Sequence, residues 1–507
     1  MTTTPRDPFA PPAFGARPNF AAYYPDTRFI ELFPRSKYFA QLSGASPPDS
    51  STDLIHATMS VIQHERIHWQ VSHCLSWGMM RSALRSMKTS LSSLFFRAQS
   101  IEQLTACLAR WKQGTSPIQR QPDHDLVVDP TWSAFEYSVA EHAWLLSILG
   151  FLFNHNDDRL SKLRPPDYML GVACQHLAGQ FDCRAVLEAP DDLFKQRVKT
   201  FKRTQDDFAV VTASTLPSPL SIEECLAVIS QLNYLQDLAQ HTAPISDLQT
   251  RFVADLRQSL FDGHNETYAH CFRLAAEFHR TEIDALDIST LALICELALD
   301  PPLPFEADGS CSHWDWQDFH PSYRFHRLLQ TSATAKRSAR QPGTPPTDEY
   351  AHFLLTEASL ARSQDEVVLP WLASCHEDTT QWPSEEINYE HLQWSRVGRE
   401  ALSKNPDLLI KPANTSSSEF EILPYVVVDG SADLAEEATE EEVRQYAEHA
   451  FNGYIVRATD ALAFGSPRIN RGGLPHRRSD VYENYLDGVG EFFSAAFNCQ
   501  CPGFTGQ

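Results

Sequence analysis

From Asp53 to Met87 the chain contains no proline, and Leu54, Ala57, Val61, Ile62, Trp69, Leu75 and Met79 recur at three- and four-residue steps. That periodicity predicts one long helix or two consecutive ones. In its middle stands Gln63-His64-Glu65-Arg66-Ile67-His68-Trp69, an HExxH run. Positions four apart share a helix face, so His64 and His68 can both aim an imidazole nitrogen at one ion about 2.0–2.1 Å away. Glu65, beside the first histidine, can reach water polarised by that ion without being a ligand, and so serve as general base. Burying two histidines and a glutamate among Val61, Ile62, Ile67 and Trp69 is costly without a metal or other partners.

A catalytic zinc site takes a third protein ligand and leaves a fourth position open. The segment 131–153 is apolar nearly all round yet carries Glu136, Glu141 and His142. At least one acid there is expected to be buried and to need a cation or hydrogen bonds. Glu141 is the first choice as third ligand, Glu136 the second, and His176 in LGVACQHLAGQF the third. Spacing does not reveal an oxyanion stabiliser; Tyr168, His142 and Arg324 are the candidates.

The run resembles the active-site helix of zincin metallopeptidases of the gluzincin type. Its extension through Trp69 and Gln70, followed by Gly78, is similar to a set of bacterial HExxH proteins, as are ALICELALDPPLP and HPSYRF further on. The resemblance implies His64 and His68 as zinc ligands, Glu65 as base, and hydrolysis of a peptide or protein amide bond. The third histidine of the metzincins is absent, because Val71 and Cys74 stand where the extended motif would continue.

The rest of the chain reads as mainly α, with minor β content. Residues 1–50 form a proline- and aromatic-rich arm with a short strand at Arg28 to Phe33, and 51–330 a helical, metallopeptidase-like domain. Its further helices are expected at 100–113, 131–153, 168–188, 221–240, 246–280 and 287–299. The aromatic run HWDWQDFHPSYRF is read as a structured loop. A tract rich in Ser, Thr, Arg and Pro supplies a linker at 331–348, and 349–507 an α+β region. That region is expected to hold helices at 349–363, 385–404, 440–463 and 480–497 and a strand at 420–428.

Composition narrows the partners. The 507 residues carry 65 acidic against 42 basic side chains, a formal charge of -23 that would repel a phosphate backbone, so nucleic acid is not expected as a partner. Neither a signal peptide nor a membrane span is read from the sequence, and the eleven cysteines are scattered singly. A cytoplasmic setting is the expectation. No phosphate loop, dinucleotide fingerprint or nucleophile elbow occurs.

Two other readings compete with the peptidase. One is a non-haem iron carboxylate protein that uses Glu65 and His68 as a Glu-x-x-His unit, with Glu349 and His352 as a second instance. The other is a non-catalytic interaction protein with a structural metal. Cys311, His313, His320 and His326 lie close in sequence but match no paired zinc pattern.

Overall fold

The computed structural model describes residues 21–24, 29–32, 50–100, 103, 132–140, 142, 216–241, 266–303, 316–334, 348–374, 383–406, 408–409 and 425–428. Helices expected at 168–188, 440–463 and 480–497, Glu141, Tyr168 and His176, all of 143–153, and most of 1–50 and 100–113 lie outside these residues.

Among the described residues the protein is mainly α. The proline-free stretch forms two helices, α1 (Ser50–Cys74) and α2 (Ser76–Ala98), broken at Leu75. Later come α3 (Pro219–His241), α4 (Glu266–His279) and α5 (Ile288–Leu299). They are followed by α6 (Trp316–Phe319), α7 (Pro321–Thr334), α8 (Asp348–Glu357), α9 (Asp365–Ser374) and α10 (Pro383–Lys404).

A small sheet joins distant parts of the chain. Strands β1 (Ala21–Tyr24) and β2 (Phe29–Leu32) are antiparallel, with Ala21 opposite Leu32, and β3 (Tyr425–Val428) runs parallel to β2, with Phe29 opposite Tyr425. The expected strands at Arg28 to Phe33 and 420–428 thus meet side by side.

Helix α1 is central. It lies along α3, is crossed by α10, and has β1 against it, while α4 and α5 pack on α3. Every residue from Ser60 to Cys74 except Arg66 is buried. One hydrophobic core runs from Ile67, Trp69 and Val71 through Ile222, Leu226 and Ile229 to Leu392 and Trp394. Helices on both sides of the 331–348 tract contribute to it.

The corner between α1 and α2 is tight. A Cβ on Gly78 would lie 2.6 Å from the Ser72 carbonyl oxygen and closer still to Val71, so no other residue fits without moving backbone. The helix ends there leave backbone groups without intrahelical partners. Arg399 Nη1 donates to the Cys74 carbonyl at 3.0 Å, and the Ser76 amide donates to Asp300 Oδ1 at 3.1 Å. A cation therefore closes the C-terminus of α1 and an anion the N-terminus of α2, each matching the helix dipole.

Helix α7 starts inside the run read as a loop: Pro321 occupies its first turn, where the missing N–H costs nothing. Its Arg324 is fully buried and donates to the carbonyls of Leu297 and Ala298 at the end of α5, and to those of Asp318 and Ala361. That guanidinium is engaged in closing a helix end. No helix among the described residues is long and apolar enough to cross a membrane.

Candidate metal centre

Helix α3 opens with Ser218 as its cap, the hydroxyl accepting from the Ser221 amide at 3.1 Å, and with Pro219 in its first turn. The second turn then carries Glu223 and Glu224, near the positive end of the helix dipole. Because α3 lies along α1, both carboxylates meet the HExxH face although they are neighbours in sequence.

His64 Nε2 lies 3.1 Å from Glu224 Oε2, His68 Nε2 lies 3.5 Å from the same oxygen, and the two Nε2 atoms are 3.4 Å apart. Donor atoms in a tetrahedral set about 2.0–2.1 Å from an ion are separated by about 3.3 Å. The triangle has that size. All three residues are buried, and they form a group able to hold a metal ion. Holding a carboxylate between two imidazoles in a buried site costs free energy unless a proton on an imidazole or a bound cation offsets its charge.

Around the triangle the partners are specific. His68 Nδ1 is 3.0 Å from Glu223 Oε1. Arg81, on α2, donates to Glu223 Oε2 at 2.7 Å and Oε1 at 3.3 Å, and also to Ser72 Oγ at 3.2 Å. On the other side, the Tyr268 ring of α4 lies 5.9 Å from that of His64. Glu65 is also buried here, and its charge is felt by Tyr268.

The electrostatics follow from this packing. Burial opposes a charge on His68, yet Glu224 first and then Glu223 outweigh it and raise its pKa well above the usual histidine value. Burial likewise opposes ionisation of Glu223, but Arg81, and then His68, hold its pKa down at about 2. Glu224 is held below the ordinary carboxylate range against its own burial, mainly by His68 and His64. Burial, then the Glu224 and Glu65 carboxylates, push the Tyr268 phenol well up, so it stays neutral and can donate to Glu224.

His64 and His68 thus come together on one helix face, and the carboxylate that joins them is Glu224. Glu136 is engaged elsewhere. Its carboxylate accepts from the Ser133 amide and from Gln99, while Ser133 Oγ accepts from the Glu136 amide at 3.2 Å, a capping box at the start of the helical segment 134–140. His142 Nδ1 donates to the Ser138 carbonyl at 2.7 Å. Glu349 and His352 are exposed on α8, whereas Glu65 and His68 are buried on α1. His320 is buried edge-on against Trp77 and His326 packs edge-on against Phe278, so these two histidines serve the aromatic core.

Glu224 was legible in principle. SPLSIEECLAVIS places two adjacent acids in a helix whose residues 221–232 are all buried, the same signal that drew attention to 131–153. No protein-family model matches the chain, and neither a curated protein nor a solved structure is significantly similar to it.

Proposed function

We propose that the chain is a zinc-dependent hydrolase of the metallopeptidase type, with His64, His68 and Glu224 as metal ligands and Glu65 as general base. The observation that carries this reading is the convergence of two Nε2 atoms and one carboxylate oxygen at tetrahedral spacing, with Glu65 one residue from the first ligand. A zinc ion held there would supply Lewis-acid activation of water and of a substrate carbonyl.

The chain's own residues have separable tasks. Glu224 and the two histidines present one negative charge and two neutral donors, which suits a divalent ion. Glu65 stays out of the donor set and accepts a proton. It then passes that proton to the departing amine. Neutral Tyr268 keeps a hydrogen-bond donor at the edge of the site. A peptide or protein substrate is the class the motif favours.

Zinc titration of the metal-free protein, with a quenched-fluorescence peptide library as substrate, tests the reading. One zinc per chain is expected, with Glu65→Gln retaining zinc and losing hydrolysis by about 10²- to 10⁴-fold. A Glu65→Gln protein that is zinc-loaded and equally active would sink the mechanism.

A further inference from the structure

The geometry points to Arg81 and Glu223 as a positioning pair that sets the ring orientation and tautomer of His68, an inference that rests on the metal-centre reading above. Neither residue belongs to the donor triangle, and neither is part of the HExxH motif.

An imidazole binds a metal through a nitrogen that carries no proton, so the other nitrogen must hold one. In His68 the nitrogen facing the triangle is Nε2, and Nδ1 faces Glu223 Oε1 at 3.0 Å. A carboxylate only accepts, so this contact requires the proton to be on Nδ1. In the neutral ring that a metal ion requires, this leaves the Nε2 lone pair aimed at His64 and Glu224.

Glu223 can do this only if its carboxylate is held still. Arg81 reaches both of its oxygens, at 2.7 and 3.3 Å, and is itself tied to α1 through Ser72 Oγ at 3.2 Å. The carboxylate is nearly buried and the guanidinium largely so, with side-chain exposures of 3% and 14%. The relay runs from α2 to α3 to α1 and closes on the same helix that carries the ligands. Its path depends on the tight corner at Gly78, which brings α2 back beside α1. Partners of this kind orient metal-bound histidines, and losing one typically weakens metal affinity about 10- to 100-fold.

The test uses the full chain and zinc alone. Zinc affinity is read by competition with a chromophoric chelator, and folding by circular dichroism, for wild type, Arg81→Met, Arg81→Lys and Glu223→Gln. Arg81→Met and Glu223→Gln are expected to stay folded and bind zinc about 10- to 100-fold more weakly, and Arg81→Lys to recover part of the loss. A merely structural role would lower the melting temperature and leave zinc affinity unmoved. Folded variants within twofold of wild type overturn the positioning role and leave the metal centre standing. A wild-type chain that binds no zinc overturns the metal centre and this inference with it. Should the variants not fold, histidine ¹⁵N spectra of zinc-loaded wild type decide. His68 is expected to carry its proton on Nδ1, and a proton-free or zinc-bound Nδ1 refutes the pair.

Discussion

Two buried ionic clusters sit along α1, and they differ in what closes them. At the corner after Cys74, Asp300 is gripped by Arg362 Nε at 2.8 Å and by Arg399 Nη1 at 2.6 Å. Glu296 accepts from Arg362 at 2.9 Å, and Arg399 also donates to Asp365. Carboxylates there meet guanidinium groups. Half-way up the helix, Glu223 is closed in the same manner by Arg81, but among the described residues Glu224 faces the two histidines and Tyr268. The first cluster pairs carboxylates with guanidinium groups and closes two helix ends. The second gathers two imidazoles around one carboxylate oxygen, an arrangement able to hold a metal ion.

The largest expected effect separates the clusters by stability. Arg399→Met leaves Asp300 buried with half its counter-charge and uncaps Cys74, so a loss of about 3–5 kcal/mol is expected in denaturant unfolding. Zinc should not restore it. A midpoint unchanged from wild type would show that the network does not hold the corner.

Ligand linkage should act on the other cluster alone. Zinc at about 1,000 times its dissociation constant should stabilise the wild-type chain by about 4 kcal/mol, and His64→Ala and Glu224→Gln should lose that gain. Thermal melts with and without zinc measure it. An equal gain in Glu224→Gln would place the ion elsewhere.

Acidity distinguishes members within the corner cluster. Glu296 is pushed up to about 7 by burial, with Asp300 adding to the shift and Arg362 and Arg399 opposing it. The folded chain then holds a proton that the unfolded chain has released, so this group's contribution falls as pH rises from 4.5 to about 7. At 1.36 kcal/mol per unit the change is up to ~3 kcal/mol. Asp300 has the opposite sign: its pKa is lowered to about 2 by Arg399 and Arg362 despite burial, so its contribution is lost as pH falls from 3.8 through that value. The stability difference between wild type and Glu296→Gln, followed from pH 4 to 8, should slope accordingly; a flat difference would refute the assignment.

The smallest expected effect is the coupling between clusters. His68 and Cys74 are about 9 Å apart along α1 at 1.5 Å per residue. The unfolding penalties of Glu224→Gln and Arg399→Met should therefore add within ~0.5 kcal/mol in zinc-free protein. A larger discrepancy would mean that α1 transmits strain from the corner to the site.

Much of this architecture was legible from pattern. The period of apolar residues placed α1, α2, α3, α5 and α10, and β-rich composition placed β2 and β3, because local spacing alone determines which face of an element can be buried. The motif likewise placed His64, Glu65 and His68 on one helix. Helix α7 was hidden because its aromatic and proline-rich start resembles a loop until Pro321 is recognised as a first-turn residue. The carboxylate that joins the two histidines was hidden for a different reason. Glu224 is some 160 residues from His64 and nothing local distinguishes it from Glu223 beside it, while Glu141, the first choice from the sequence, lies outside the described residues.

By itself, then, the sequence determined a mainly helical chain with an HExxH helix at its centre, since both follow from residue type at fixed local spacing. Only the tertiary structure decided that a Glu224 oxygen meets the two Nε2 atoms, that Glu223 lies between Arg81 and His68, and that Arg399 closes the end of α1. Those pairings depend on which helices lie side by side, and a carboxylate's role is set by the charges packed against it.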